Sequence, residues 1–243
     1  MRAALVIAAG FVATPGSTEA PCRQALALGL DVSGSVDGGE YRLQLDGLAA
    51  ALREPAVIAA MLSVPSAPVH LAIFEWSEPG HQRLLLDWQM IAGPADLERI
   101  AAMLEATGRR PAPPGTALGS AMRFGTALLE QRRDCWKRTL DLSGDGKHNI
   151  GPHPREVKRA LSAQSAGGVT LNALVIGSDA PTLGALGYED IGELSAYFSA
   201  WVIFGPGAFV ETALGYEAYR EAMVRKLIRE LEGLTVSALP DTR

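Results

Sequence analysis

The stretch Leu30-Asp31-Val32-Ser33-Gly34-Ser35 ends an apolar run, residues 25–30, and precedes a segment with helical periodicity. It places one carboxylate and two hydroxyls at alternate positions, Asp31, Ser33 and Ser35, at the carboxyl end of a predicted buried strand. Mg²⁺ prefers oxygen ligands of this kind in near-octahedral geometry. Because Asp, Ser and Gly also fill ordinary turns, the stretch alone is consistent with either a metal site or a plain turn.

Strands alternate with helices along the rest of the chain. Apolar runs predict six strands: Gln24–Leu30, Val69–Trp76, Arg83–Ile91, Arg138–Ser143, Val169–Ile176 and Trp201–Phe204, with Ala208–Val210 as a further candidate for the sixth. Segments with helical periodicity separate them, and Asp37 with Glu40 predicts a capping box on the first helix. This alternation predicts an α/β fold: three-layer and doubly wound, with a mainly parallel central sheet and helices on both faces.

Two later segments carry side chains that suit the same chemistry. Thr116 lies on the loop that enters a predicted helix, within Pro114-Gly115-Thr116-Ala117. Asp145 follows another predicted strand, in the turn Gly144-Asp145-Gly146. Because ligands of such sheets bind outside the carboxyl ends of the strands, we expect Asp31 and Asp145 at the same edge.

Together the three segments resemble the metal-ion-dependent adhesion site (MIDAS) of von Willebrand factor A (VWA) domains. The shared features are Asp-x-Ser-x-Ser after a strand, Gly-Thr in a loop before a helix, and Asp-Gly after a later strand. The resemblance covers nearly all of the chain after residue 20 and implies the Rossmann-like VWA fold. It extends to a branch of exported bacterial domains of this type.

The resemblance also implies roles. Five residues would bind Mg²⁺ or Mn²⁺, three through hydroxyls and two through carboxylates, directly or through water: Ser33, Ser35, Thr116, Asp31 and Asp145. An open coordination position would accept an Asp or Glu of a partner protein. Asn149 matches a polar position often seen after the last Asp of the pattern. Gly144 is a departure, since many such domains carry Thr or Ser there, and it removes a hydroxyl beside Asp145.

The first twenty residues have the layout of a secretory signal peptide. Met1-Arg2 is positively charged, residues 3–13 are apolar, and Thr18-Glu19-Ala20 offers a small-x-small cleavage site. We therefore predict a signal peptide over residues 1–20 and a single VWA-like domain over residues 21–243, located in the periplasm or secreted. A frayed N-terminal helix is the alternative.

Composition narrows the functional classes. Hydrophobic residues make up 48% of the chain, which is typical of a globular protein. A net charge of −5 and a pI of about 5.4 argue against a nucleic-acid partner. The sequence after the N-terminal segment contains no apolar run of about 18 residues, so no membrane span is predicted.

The two cysteines occupy similar places before the two acidic residues. Cys22 lies nine residues before Asp31, and Cys135 lies ten residues before Asp145. If the two strands are neighbours, both cysteines fall at the opposite ends, where we expect a disulfide in an oxidising compartment. Two unpaired buried thiols are the alternative.

The leading functional prediction is an exported, non-enzymatic module that binds a protein or peptide with an exposed Asp or Glu. The alternative is a Mg²⁺-dependent phosphohydrolase with Asp31 as the nucleophile. Such enzymes usually need a second Asp two residues on, where this chain has Ser33. A scaffold that has lost its metal is a third reading, which the intact ligand set disfavours.

His148 and His153 flank Asp145 but lack a third ligand at zinc spacing, so they are predicted to be surface residues.

Overall fold

The computed structural model describes residues 21–163, 168–178 and 189–232. Within them the chain forms six strands, seven helices and a short 3₁₀ turn over Tyr216–Ala218. The strands are β1 (Cys22–Asp31), β2 (Val69–Trp76), β3 (Gln82–Ile91), β4 (Cys135–Gly144), β5 (Val169–Gly177) and β6 (Val210–Leu214). The helices are α1 (Gly38–Leu52), α2 (Pro55–Met61), α3 (Pro94–Ala106), α4 (Leu118–Glu130), α5 (Pro154–Ala163), α6 (Ile191–Trp201) and α7 (Tyr219–Glu232).

The strands form one sheet in the order β3-β2-β1-β4-β5-β6, with every pair parallel except β2 and β3. One face packs against α1, α2, α3 and α7, and the other against α4, α5 and α6, which gives two hydrophobic cores. This is the doubly wound, mainly parallel, three-layer architecture predicted from the alternation of strands and helices.

β1 occupies the centre of the sheet and is buried along its whole length. Its leucines face one core while Ala25 and Ala27 face the other, which explains why the strand reads as a continuous apolar run. The predicted capping box is present on α1: Asp37 Oδ1 accepts from the Glu40 N–H, and Glu40 Oε2 accepts from the Asp37 N–H, both at 2.8 Å. The capping box therefore fixes the end of the β1–α1 loop that enters α1.

The predicted sixth strand is wrong in its position. Trp201 ends α6, and of the run Trp201–Phe204 only Phe204 pairs with the sheet, through an isolated bridge to β5. The sixth strand is Val210–Leu214, so the further candidate Ala208–Val210 reaches only its first residue. Short apolar runs do not distinguish a strand from the buried end of a helix, and here the run packs as a helix end.

Cys22 and Cys135 are register partners at the start of β1 and β4, and they form a disulfide. The predicted pairing is confirmed, and the alternative of two free thiols is excluded. The strand ends that carry it lie at the edge of the sheet opposite Asp31.

The predicted signal peptide, residues 1–20, lies outside the described residues. In the part of the chain that the structure describes, every helix is too short or too polar to cross a membrane.

Candidate metal site

Two acidic residues mark the carboxyl ends of β1 and β4, the central pair of strands. Asp31 is the last residue of β1, and Asp145 directly follows Gly144, the last residue of β4. Because the two strands are parallel, both carboxylates lie at the same edge of the sheet, as predicted. Both are buried, with 0% and 7% of their surface exposed.

The loop after β1 turns on the carboxylate of Asp31. Asp31 Oδ1 accepts a hydrogen bond from the Ser33 N–H at 2.8 Å, and the Gln44 side-chain amide donates to the Asp31 carbonyl at 3.0 Å. Gly34 donates its N–H to the Pro114 carbonyl at 2.9 Å, and a Cβ there would come within 2.8 Å of the proline ring. The glycine therefore allows this loop to approach the loop that enters α4.

A chain of hydroxyls connects this loop to Asp145. Ser35 Oγ donates to Asp145 Oδ1 at 2.7 Å, and Ser33 Oγ lies 3.2 Å from Ser35 Oγ. Since Ser35 has one proton and directs it at the carboxylate, its oxygen lone pairs remain available to a cation.

Thr116 is buried and is joined to the loop after β4. Its N–H donates to Asn149 Oδ1 at 2.8 Å, and its carbonyl accepts from the Asn149 N–H at 3.1 Å. A Cβ built on Gly146 would lie 3.9 Å from Thr116 Oγ1, so the hydroxyl stands beside the turn that carries Asp145. The structure thus brings together all five residues of the predicted ligand set. Asn149, the matching polar position, acts here by holding the Thr116 loop.

The two buried carboxylates of this cluster lie close together without a positively charged partner among the described residues. Burial, and then the nearby charge of Asp145, raises the pKa of Asp31 well above its usual range. Burial also raises the pKa of Asp145, against the opposing effect of hydrogen bonds from Ser35 and Tyr216. Among the described residues, neither carboxylate forms an ion pair with Lys or Arg, and Asp31 Oδ2 is buried without a hydrogen-bond partner. A divalent cation fits this donor set, since it would supply the missing counter-charge.

Sequence reasoning missed two residues of the cluster. Gln44 of α1 supports the backbone of Asp31, and Tyr216 donates its hydroxyl to Asp145 Oδ2 at 3.2 Å. Tyr216 lies in the 3₁₀ turn before α7 and belongs to none of the three motif segments. Burial and Asp145 raise the pKa of Tyr216 well above its usual range, so the phenol acts as a proton donor.

The remaining metal-binding residue types do not form a second site among the described residues. His148 and His153 lie 5.3 Å apart between ring centroids, but among the described residues no third His, Cys, Asp or Glu joins them in a metal-binding group. In the part of the chain that the structure describes, the one group of three such residues is Cys22, Asp134 and Cys135, and both of its sulfur atoms belong to the disulfide.

A family model described as "Protein of unknown function (DUF1194)" matches residues 21–235. The chain belongs to this family. No curated protein matches the DUF1194 chain in sequence.

Solved structures place the DUF1194 chain among known folds. One is the structure of proximal thread matrix protein 1 from the mussel byssus with a zinc-occupied MIDAS motif. It is 15% identical to this chain with a TM-score of 0.57, and the match covers 86% of this chain and 48% of that one. A von Willebrand factor type A structure from Catenulispora acidiphila is 16% identical with a TM-score of 0.54, covering 86% and 43%. The pilus adhesin SpaC from Lactobacillus rhamnosus GG, in its open conformation, is 14% identical with a TM-score of 0.54, covering 86% and 30%.

These matches confirm that the DUF1194 chain has the VWA fold predicted by the resemblance. The chain spans less than half the length of each of these three structures. At such low identities the likeness concerns the fold, so the chemistry of the site has to be argued from its own residues.

Proposed function

We propose that this chain is an exported, non-enzymatic binding module that holds a divalent cation and, through it, an acidic residue of a partner protein. The proposed ligands are the three hydroxyls and two carboxylates that meet at the sheet edge: Ser33, Ser35, Thr116, Asp31 and Asp145. The cation would neutralise the buried carboxylates and, as a Lewis acid, bind one further carboxylate.

One oxygen of the Asp31 carboxylate, Oδ2, carries this proposal. Its Oδ2 is buried without a hydrogen-bond partner among the described residues, and the Asp145 carboxylate lies near enough to raise its pKa. Leaving a buried polar atom unpaired costs about 1–3 kcal/mol, and more for a charged group. A protein retains such an arrangement most readily where a bound cation compensates it.

The ligand types favour Mg²⁺ or Mn²⁺. Both ions suit hydroxyl and carboxylate oxygens, whereas Ca²⁺ takes more carboxylate or carbonyl ligands than this set provides. The mussel byssus protein is described with zinc in its MIDAS motif, so Zn²⁺ belongs in any comparison of metals.

The proposed partner is a protein or peptide with an exposed Asp or Glu. Three of the five proposed ligands are neutral hydroxyls, so the ion would keep a strong attraction for another anion. Arg109 adds positive charge at this edge, with its guanidinium 3.5 Å from the Ser33 carbonyl. One of the structures with this fold is a pilus adhesin, which is compatible with a role in protein binding.

Export is proposed from two features. Residues 1–20 have the layout of a signal peptide, and the Cys22–Cys135 disulfide is typical of an oxidising compartment such as the periplasm or the extracellular space. We accordingly propose residues 21–243 as one VWA-like domain.

Binding is preferred to hydrolysis because of the residue at position 33. A phosphohydrolase that used Asp31 as its nucleophile would need an acid two residues on. Ser33 provides a hydroxyl there, and it lies within hydrogen-bond distance of Ser35. A general acid is therefore missing from the place where that chemistry requires one.

The proposal is tested by calorimetric titration of the metal-stripped protein with Mg²⁺, Mn²⁺ and Zn²⁺. We expect saturable binding of Mg²⁺ and Mn²⁺ by the parent and its loss in Asp31→Ala and Thr116→Val. Thr126→Val is the matched control, because among the described residues its hydroxyl bonds to two carbonyls of its own helix, α4, and to no proposed ligand. Absence of binding in the parent at millimolar metal, or equal effects of the two Thr variants, would contradict the proposal.

The partner is tested with immobilised peptide pairs that differ only by Asp or Asn at the central position. The Mn²⁺-loaded protein should bind a subset of the Asp peptides and release them when a chelator is added. If Asp and Asn peptides were bound alike, the carboxylate bridge would be wrong even where the metal site is real.

A further inference from the structure

Asp145 receives hydroxyl hydrogen bonds on both carboxylate oxygens, from opposite ends of the chain. Ser35, after β1, donates to Oδ1 at 2.7 Å, and Tyr216, after β6, donates to Oδ2 at 3.2 Å. The residue before Asp145 is Gly144, which has no side chain to contribute. A Cβ at Gly144 would lie 3.3 Å from the Phe198 ring and 3.4 Å from Asp31 Oδ2, so a side chain there would be in tight contact with both residues.

The backbone fixes Tyr216 in this position. Gly215, at φ +73°, donates its N–H to the Gly177 carbonyl at 2.9 Å, which ties the turn to the end of β5. The positive φ is a backbone conformation that favours glycine. Tyr216 follows with only 1% of its surface exposed, so its ring has little freedom to leave Asp145.

We propose that Tyr216 is a positioning residue of the metal site and supplies the hydroxyl that Gly144 cannot. It holds Asp145 so that Oδ1 faces Ser35, and Ser35 in turn directs its lone pairs at the cation. This inference rests on the proposed metal site. It adds a residue that lies 71 positions from Asp145 and belongs to none of the three motif segments.

The physical basis is the orientation of a ligand by its hydrogen-bond partners. A carboxylate held on one oxygen only can rotate about its Cα–Cβ and Cβ–Cγ bonds, and its other oxygen is left unpaired in a buried place. Loss of a partner that orients a metal ligand typically lowers metal affinity by about 10–100-fold. We expect an effect near the lower end of that range, because Ser35 still holds Oδ1.

Tyr219 provides a matched control three residues away. Its hydroxyl lies 3.0 Å from Ser143 Oγ, and its side chain is as buried as that of Tyr216. Ser143 is not among the proposed ligands. Tyr216→Phe and Tyr219→Phe therefore remove equivalent buried hydroxyls, and only the first of these contacts a proposed ligand.

The test is calorimetric Mg²⁺ titration of the parent and both variants, with thermal unfolding of each in chelator. We expect Tyr216→Phe to weaken Mg²⁺ binding about tenfold. The Mg²⁺ affinity of Tyr219→Phe should stay within about twofold of that of the parent. In chelator, the two variants should lose similar thermal stability relative to the parent. Equal Mg²⁺ affinity in Tyr216→Phe and the parent would overturn the inference and leave the metal site standing. A parent that binds no Mg²⁺ would overturn both.

Discussion

Cys22 and Cys135 face each other as register partners at the first residues of β1 and β4, and their disulfide joins the two strands that end at Asp31 and Asp145. At a rise of roughly 3.3 Å per residue, nine residues of strand place this bond roughly 30 Å from the candidate metal site. The same pair of strands is therefore held covalently at one edge and carries the proposed ligands at the other.

Removing the disulfide should destabilise the protein and leave the site intact. The bond closes a loop with a sequence separation of 113, for which the chain-entropy model gives about 4–5 kcal/mol as an upper figure. We expect the double variant Cys22→Ala/Cys135→Ala to lose up to that much free energy of unfolding in urea denaturation. Under conditions where it remains folded, its Mg²⁺ affinity should match that of the parent. Loss of metal binding by the folded variant would show that the strand ends depend on the disulfide.

Neutralising Asp31 should leave the metal-free protein at least as stable as the parent, but should abolish its stabilisation by Mg²⁺. Asp31→Asn removes a buried negative charge from beside Asp145, so the metal-free variant should unfold at the same temperature as the metal-free parent, or higher. Millimolar Mg²⁺ should raise the unfolding temperature of the parent alone, since binding to the native state stabilises it by mass action. An equal rise in the variant would argue that Asp31 is not part of the site.

Lys226 should be essential to the stability of the fold. Its Nζ is buried 3.1 Å from Asp141 Oδ1 and 2.9 Å from Glu230 Oε1, which joins α7 to β4. Lys226→Met leaves two buried carboxylates without a cation and should cost about 3–5 kcal/mol in denaturant unfolding. Lys158→Met, which removes a lysine at the protein surface, is the control and should change stability by less than about 0.5 kcal/mol. Similar losses in the two variants would contradict this assignment.

Asp141 should make the stability of the parent fall as pH rises. Burial raises the pKa of Asp141 to about 7, against the attraction of Lys226. Between about pH 4 and pH 7 the folded state therefore binds a proton that the unfolded state has released, so the free energy of unfolding decreases as pH increases.

Asp141→Asn removes this dependence. The free energy of unfolding of the parent minus that of the variant should fall by up to about 4 kcal/mol from pH 4 to pH 8. Urea denaturation at each pH measures it, and titrating groups far from Asp141 cancel in the difference, whereas Lys226 and Glu230 contribute to it because they interact with Asp141. A difference that is constant with pH would show that the Asp141 carboxyl titrates normally.

The parts of the fold that the sequence predicts well are those with local patterns. The capping box of Asp37 and Glu40, the buried strand before Asp31 and the alternation of strands with helices each depend on residues close together in the chain. The meeting of Asp31, Thr116 and Asp145 could also be predicted, because parallel strands place their carboxyl ends at one edge.

The parts that the sequence did not predict depend on distant contacts. The position of β6 was missed because the apolar run Trp201–Phe204 fits either a strand or a helix end. That error also concealed Tyr216, which follows the carboxyl end of the correct β6. Site residues are expected at the carboxyl ends of the strands, and with β6 placed correctly this rule would have pointed to Tyr216. Gln44 was missed because its side chain looks like any polar residue on a helix, and only the packing shows that it supports Asp31.

The most direct test of the proposed site is a crystal structure of the protein grown with Mn²⁺, with data collected where manganese scatters anomalously. The account predicts one strong anomalous peak at the carboxyl edge of the sheet, bounded by the hydroxyls of Ser33, Ser35 and Thr116. A peak at another place would contradict the account. So would the absence of a peak at this edge in crystals where the loops after β1 and β4 have the conformation described above.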